Sequence, residues 1–107
     1  MNKLEQILFL QKKNNICHYD SLTLKEKQAW SKDLILCAFD EMNLIMHFFN
    51  WAHWVPRKAV RIPDLKFQLA ALLSCVISLM LVWGMDAEEI FQLYTIRKRK
   101  HVKHNKK

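Results

Sequence analysis

Apolar residues recur along the chain at spacings of three and four, the signature of helices with one buried face, and almost nowhere in the alternation that marks a strand. Leu4, Ile7, Leu8 and Leu10 predict a short amphipathic helix over about residues 2–12, interrupted by Asn14 and Asn15. Thr23 followed by Glu26 predicts a capping box, because each side chain can accept from the other's free backbone N–H. From there Trp30, Leu34, Cys37, Ala38, Met42, Ile45, Phe48 and Phe49 draw one broad apolar stripe on a long helix reaching about Trp51. Trp51 to Pro63 holds both prolines and the basic residues Arg57, Lys58 and Arg61, and reads as a loop with a basic surface.

The stretch Gln68–Met85, QLAALLSCVISLMLVWGM, contains no charged residue. It fits either the central helix of a bundle, capped by Asp64, or a single membrane span, since about 18 apolar residues nearly cross a bilayer. Gln68, Ser74 and Ser78 give it a small polar side that suits a bundle. Basic residues flank it at both ends, Arg57, Lys58, Arg61 and Lys66 before and Arg97 to Lys100 after, so loop charge sets no membrane orientation. Gly84, the only glycine, marks the end of this helix. Asp86 with Glu89 starts the next, which runs to about Arg97 with Ile90, Phe91, Leu93 and Tyr94 inward. The expectation is an all-α bundle of about four helices with antiparallel neighbours over residues 1–96, followed by a basic tail over 97–107.

Size, cysteines and charge sharpen that picture. With 107 residues the core is modest, so dimerisation or a larger assembly is expected to complete it. Cys17, Cys37 and Cys75 form no CxxC pair, which argues against a zinc knuckle or disulfide framework and for an intracellular, reducing compartment, cytoplasmic or organellar matrix. The N-terminus also lacks the pattern of a secretory leader. The net charge of +7 resides in Arg97, Lys98, Arg99, Lys100, Lys103, Lys106 and Lys107, while the other ten Lys and Arg balance ten Asp and Glu. Such a tail is either a solvated end or a contact for nucleic acid or anionic lipid. Only Tyr94 stands near enough to stack on a base, so sequence-specific RNA reading is not indicated.

Three segments carry a resemblance. LEQILFLQKK resembles the opening helix of the all-α nucleotide pyrophosphohydrolases, and FFNWAHW the aromatic segment after their first metal-binding helix. LLSCVISLMLVWGMDAEEIFQLY resembles the end of their second metal helix, its turn and the next helix, most closely in the dimeric phage-type dUTPases related to MazG. The resemblance implies one helix offering ExxE, with a further Glu one turn on, and a second offering ExxD. Together such helices hold magnesium, which neutralises a triphosphate and activates water.

Placed by Trp51 and Trp54, which the resemblance would make base-stacking residues, the first motif becomes Asp40-Glu-Met-Asn43 with His47, and the second Gln68-Leu-Ala-Ala71. A shift of one residue substitutes Glu41 for Asp40 and Leu44 for Asn43. On either register most of the anionic oxygen that magnesium needs is gone. The tail RKRKHVKHNKK also lacks the lysine-asparagine pair and arginine spacing of the family, and His101 and His104 belong to that tail. Cys75 reads as a small core residue. The resemblance with these departures implies a dUTPase- or MazG-like pseudoenzyme serving as a binding or structural module. It would need no cofactor, would pair with copies of itself or a larger assembly, and would contact nucleic acid through its tail. The alternative is a divergent magnesium-dependent pyrophosphohydrolase using Asp40, Glu41 and Asp33; a single-pass membrane protein is the second alternative.

Overall fold

The computed structural model describes residues 1–14, 19–49 and 59–105, with the side chains of 101–105 set aside. Within these the chain is all helical, with no strand. Helix α1 spans Lys3–Asn14, a single 3-10 turn covers Tyr19–Ser21, and α2 (Leu24–Met46), α3 (Ile62–Val82) and α4 (Ala87–Asn105) follow.

Each start has a local cause. At α2 the expected capping box is present: Glu26 N–H donates to Thr23 Oγ1 and Thr23 N–H to Glu26 Oε1. Those bonds to the ionised carboxylate hold Glu26 below the usual carboxylate range. Asn2 and Glu5 make the same reciprocal exchange at α1, a cap the hydrophobic pattern did not announce. Asp86 caps α4 through Glu89 N–H. Asp64 does not cap α3, because the helix already begins at Ile62 with Pro63 in its first turn, where proline's missing N–H leaves no bond unmade. Asp64 pairs instead with Arg61 Nε at 3.1 Å.

The α3 exit is a Schellman turn. Gly84 N–H donates to the Leu81 carbonyl and Met85 N–H to that of Met80, with Gly84 at φ +73°. A Cβ built on Gly84 meets nothing within 4 Å, so only the backbone conformation resists a side chain. Gly84→Ala is therefore expected to cost about 1–2 kcal/mol, the strain of a left-handed alanine, with helix content intact. A denaturant melt measures it; no loss would mean that the turn simply relaxes.

Helix α4 runs on to Asn105 rather than ending near Arg97. Lys and Arg are good helix formers, and cations near a C-terminus face the negative end of the helix dipole, so a basic sequence extends the helix. The expected loop from Trp51 lies largely outside the described residues; α2 itself ends at Met46.

Helices α2 and α3 are antiparallel and form the most extensive contact of the fold. On α2, Lys27, Ser31, Leu34, Ala38, Glu41, Ile45 and Phe48 are half-buried, spaced by four and three, and on α3 the matching series is Leu65, Gln68, Leu72, Cys75, Leu79 and Val82. This is the spacing of side chains that interlock along a coiled-coil seam. Helix α1 lies against another side of α3, where Leu8 meets Ile77 and Leu81, and Tyr19, with its ring edge-on to Trp30 at 5.9 Å, closes the cluster. The small polar side expected for α3 is thus divided: Gln68 faces α2, Ser78 accepts from Gln11 Nε2 of α1 at 2.7 Å, and Ser74 donates to the Ala70 carbonyl.

Among the described residues no helix covers a third side of the pair. Helix α2 has no buried residue, and beside its seam Ile35, Phe39, Met42, Met46 and Phe49 form a second stripe with the same spacing, each more than 40% exposed. Ile62, Leu69, Leu73, Val76 and, just past the helix, Trp83 form a similar exposed stripe on α3, interrupted by the exposed Lys66. At about 100° per residue both stripes lie roughly a quarter turn from their own seam in the same rotational sense. For antiparallel helices that places both on one face of the pair, opposite α1. The broad single stripe expected for α2 is in fact two faces.

Candidate functional site

Three polar contacts punctuate the α2–α3 seam. At one end Trp83 Nε1 donates to Ser31 Oγ at 2.8 Å, and Ser31 Oγ in turn donates to the Lys27 carbonyl. In the middle the Cys75 thiol points at Cys37 Sγ, 3.5 Å away. At the other end Gln68 Nε2 donates to Glu41 Oε2. Among the candidate site residues, Glu41 and Gln68 are therefore the pair that the facing helices bring together.

The remaining predicted ligands are dispersed. Asp40 is about 100° around α2 from Glu41 and is exposed, as is Asn43. His47, the C-terminal cap of α2, has its Nδ1 2.7 Å from the backbone carbonyl of Asn43, so that nitrogen is engaged locally. Ala71 lies half-buried one turn beyond Gln68 and offers no ligand atom. The helices thus bring together the register containing Glu41, not the one containing Asp40, Asn43 and His47. Trp51 and Trp54 lie outside the described residues, and Asp33 is exposed on α2, two turns before Asp40.

Magnesium needs several hard, mostly anionic oxygens around one point. Glu41 supplies one carboxylate already bound to a neutral amide that cannot add charge. Among the described residues no group of three or more His, Cys, Asp or Glu side chains stands close enough to hold a metal ion. The residues present do not fit the magnesium site that the resemblance implies.

Burial pushes the Cys75 thiol up to about 11, reinforced by its contact with Cys37 and by the nearby Glu41 charge. At neutral pH it is a protonated thiol and neither a nucleophile nor a ready ligand. Cys75 packs in the seam as the sequence reading expected, and Cys37 reaches it from the position just before the seam residue Ala38, a neighbour that the spacing alone does not announce.

The predicted anion contacts lie on α4. Arg97, Lys98, Arg99 and Lys100 are exposed on this helix, with Lys98 Nζ 5.6 Å from the Tyr94 ring centre. Lys103 falls in the helical stretch whose side chain is not described, and Lys106 and Lys107 lie outside the described residues. Of the other helices α4 touches mainly α1 and leaves Phe91, Tyr94 and Ile96 exposed, so it projects as a basic arm. One helix among the described residues, α3, is long and apolar enough to cross a membrane by length and composition. Its seam partner α2 carries Lys25, Glu26, Lys27, Lys32, Asp33, Asp40 and Glu41 and does not share that character. Compared with protein families, curated proteins and solved structures, the chain finds no match.

Proposed function

We propose that this chain is a self-associating helical module: two copies pair through the bare α2–α3 faces to make a four-helix core, and the scaffold serves a binding or structural role rather than a catalytic one. The exposed apolar face of the two helices carries the reading. The accessible surface is 9020 Å². A compact monomer of 12.9 kDa exposes roughly 6,300 Å², so the chain shows an excess of roughly 2,700 Å², shared between this face and the projecting α4. Obligate homodimers bury about 2,000–5,000 Å² over both partners, and one subunit's share of a large interface is of that order. An apolar face built on heptad stripes of two antiparallel helices, with Lys32 and Lys66 toward its two ends, matches a second copy of itself related by a two-fold axis.

The dUTPase-like resemblance supports the same architecture and supplies the pseudoenzyme reading: at Glu41 and Gln68 one acid is kept and the facing one is replaced by an amide that donates to it. The basic α4 arms, projecting from the paired cores, are then the surface for nucleic acid, bound through phosphate charge and without sequence preference. The second reading, a divergent pyrophosphohydrolase, rests on the retained Glu41 carboxylate alone.

Sedimentation of detergent-free protein, combined with release of pyrophosphate from dUTP and other nucleoside triphosphates in magnesium or manganese, tests the proposal. A folded dimer without turnover is the expected result. Metal-dependent turnover would overturn the pseudoenzyme reading, a stable monomer the association, and recovery only in detergent would favour the membrane reading of α3.

A further inference from the structure

We propose that Cys37 and Cys75 are a reversible oxidation site that forms a disulfide across the α2–α3 seam when a small-molecule disulfide is present. The two sulfurs face each other at 3.5 Å from adjacent antiparallel helices, so closing the bond calls for side-chain rotation and a small approach rather than refolding. Their exposures differ in a way that orders the reaction: Cys37 is exposed and Cys75 buried. Cys37 also lies on the flank of α2 turned away from the Ile35–Phe49 stripe, so the reagent reaches it whether or not the bare faces are paired.

The electron count closes with glutathione disulfide as oxidant. The Cys37 thiolate attacks one sulfur of glutathione disulfide, giving a mixed disulfide on Cys37 and one glutathione thiolate. Cys75 then gives up its proton and attacks Cys37 Sγ, forming the Cys37–Cys75 bond and expelling the second glutathione thiolate. The two thiolates take up the two protons lost by the protein, so two protein thiols are oxidised and one small disulfide is reduced to two thiols. The high thiol value of Cys75 makes this second step the slow one, and faster as pH rises. In a reducing compartment the pair rests as thiols, and an intracellular disulfide of this kind is transient and responsive. The bond ties together positions 38 residues apart in sequence, which restrains the unfolded chain and stiffens the helix pair around Glu41 and Gln68.

The test uses the full chain with Cys17→Ser, so that only these two thiols remain. Exposure to glutathione disulfide, an acid quench and non-reducing peptide mapping are expected to give a Cys37–Cys75 peptide lighter by two hydrogens. A rise in Tm of about 10 °C, abolished by dithiothreitol, should accompany it. Cys75→Ala in the same background, checked for helix content by circular dichroism, should instead accumulate glutathione on Cys37. A lasting Cys37 adduct while Cys75 is present, disulfide-linked dimers through Cys37, or no reaction in folded protein would each overturn the proposal. So would failure of the Cys75→Ala variant to accumulate the adduct.

Discussion

Leu73→Asp is expected to abolish dimer formation and, with it, most of the stable fold. Leu73 sits in the middle of the exposed stripe of α3, 47% accessible in the single chain, and would lie at the centre of the paired faces. An unpaired carboxylate there loses its hydration without gaining a partner, and the two-fold axis introduces it twice. A cost of about 3 kcal/mol or more weakens association a hundredfold or more. Sedimentation equilibrium and thermal melts over a range of protein concentrations measure both effects. The comparison that gives the result its meaning is Leu44→Asp, an equally exposed leucine on the opposite flank of α2. That change should stay within about 1 kcal/mol of the parent, as surface substitutions do. Equal behaviour of the two variants, or a folded dimeric Leu73→Asp, would remove the basis for the paired-face arrangement.

Gln68→Glu should be the most damaging conservative change in the seam. It replaces the amide donor to Glu41 by a second carboxylate at hydrogen-bonding distance. Two acids so placed cannot both ionise freely, so one carboxyl is raised above its unfolded value of about 4.3. The sign follows: below that value both are protonated and the variant matches the parent. As pH rises past it the folded form must hold a proton or bear the repulsion, and stability falls, levelling off above the raised value. The deficit at pH 7 is expected to be about 1–3 kcal/mol, read from urea melts across pH. Adding Ala71→Asp supplies a third carboxylate one turn on, and magnesium or manganese should then restore Tm in the double variant but not in the parent. No response to either ion would count against Glu41, Gln68 and Ala71 as the former metal positions.

Much of the fold is written in local chemistry. Thr23 with Glu26, Gly84 and Asp86 could be read directly because each satisfies or reverses the backbone within a turn of itself. Asp64 misled because proline in the first turn lets a helix begin earlier than the acid that resembles its cap. The end of α4 was set too soon because a charge run looks like a tail, although Lys and Arg favour helix. Which acid faces α3 was not legible: Asp40 and Glu41 are neighbours in sequence, and only the seam, fixed by Leu34, Ala38, Ile45 and Phe48, selects Glu41. The second stripe on α2 was present in the spacing of Ile35, Phe39, Met42, Met46 and Phe49, but adjacent stripes merge when read without a partner to divide them.

Helix α3, uncharged from Gln68 to its end, shapes the life of the chain after synthesis. With α1 on one side and α2 on another, its third side would, on the proposed pairing, stay open until a second copy arrives, and every newly made molecule would pass through an interval set by collision frequency. At low expression that interval lengthens, and the lone chain is open to proteases, chaperones and membranes that bind apolar helices. Cellular abundance should therefore rise more steeply than synthesis rate, a threshold written into the protein by an apolar face that a single copy cannot cover.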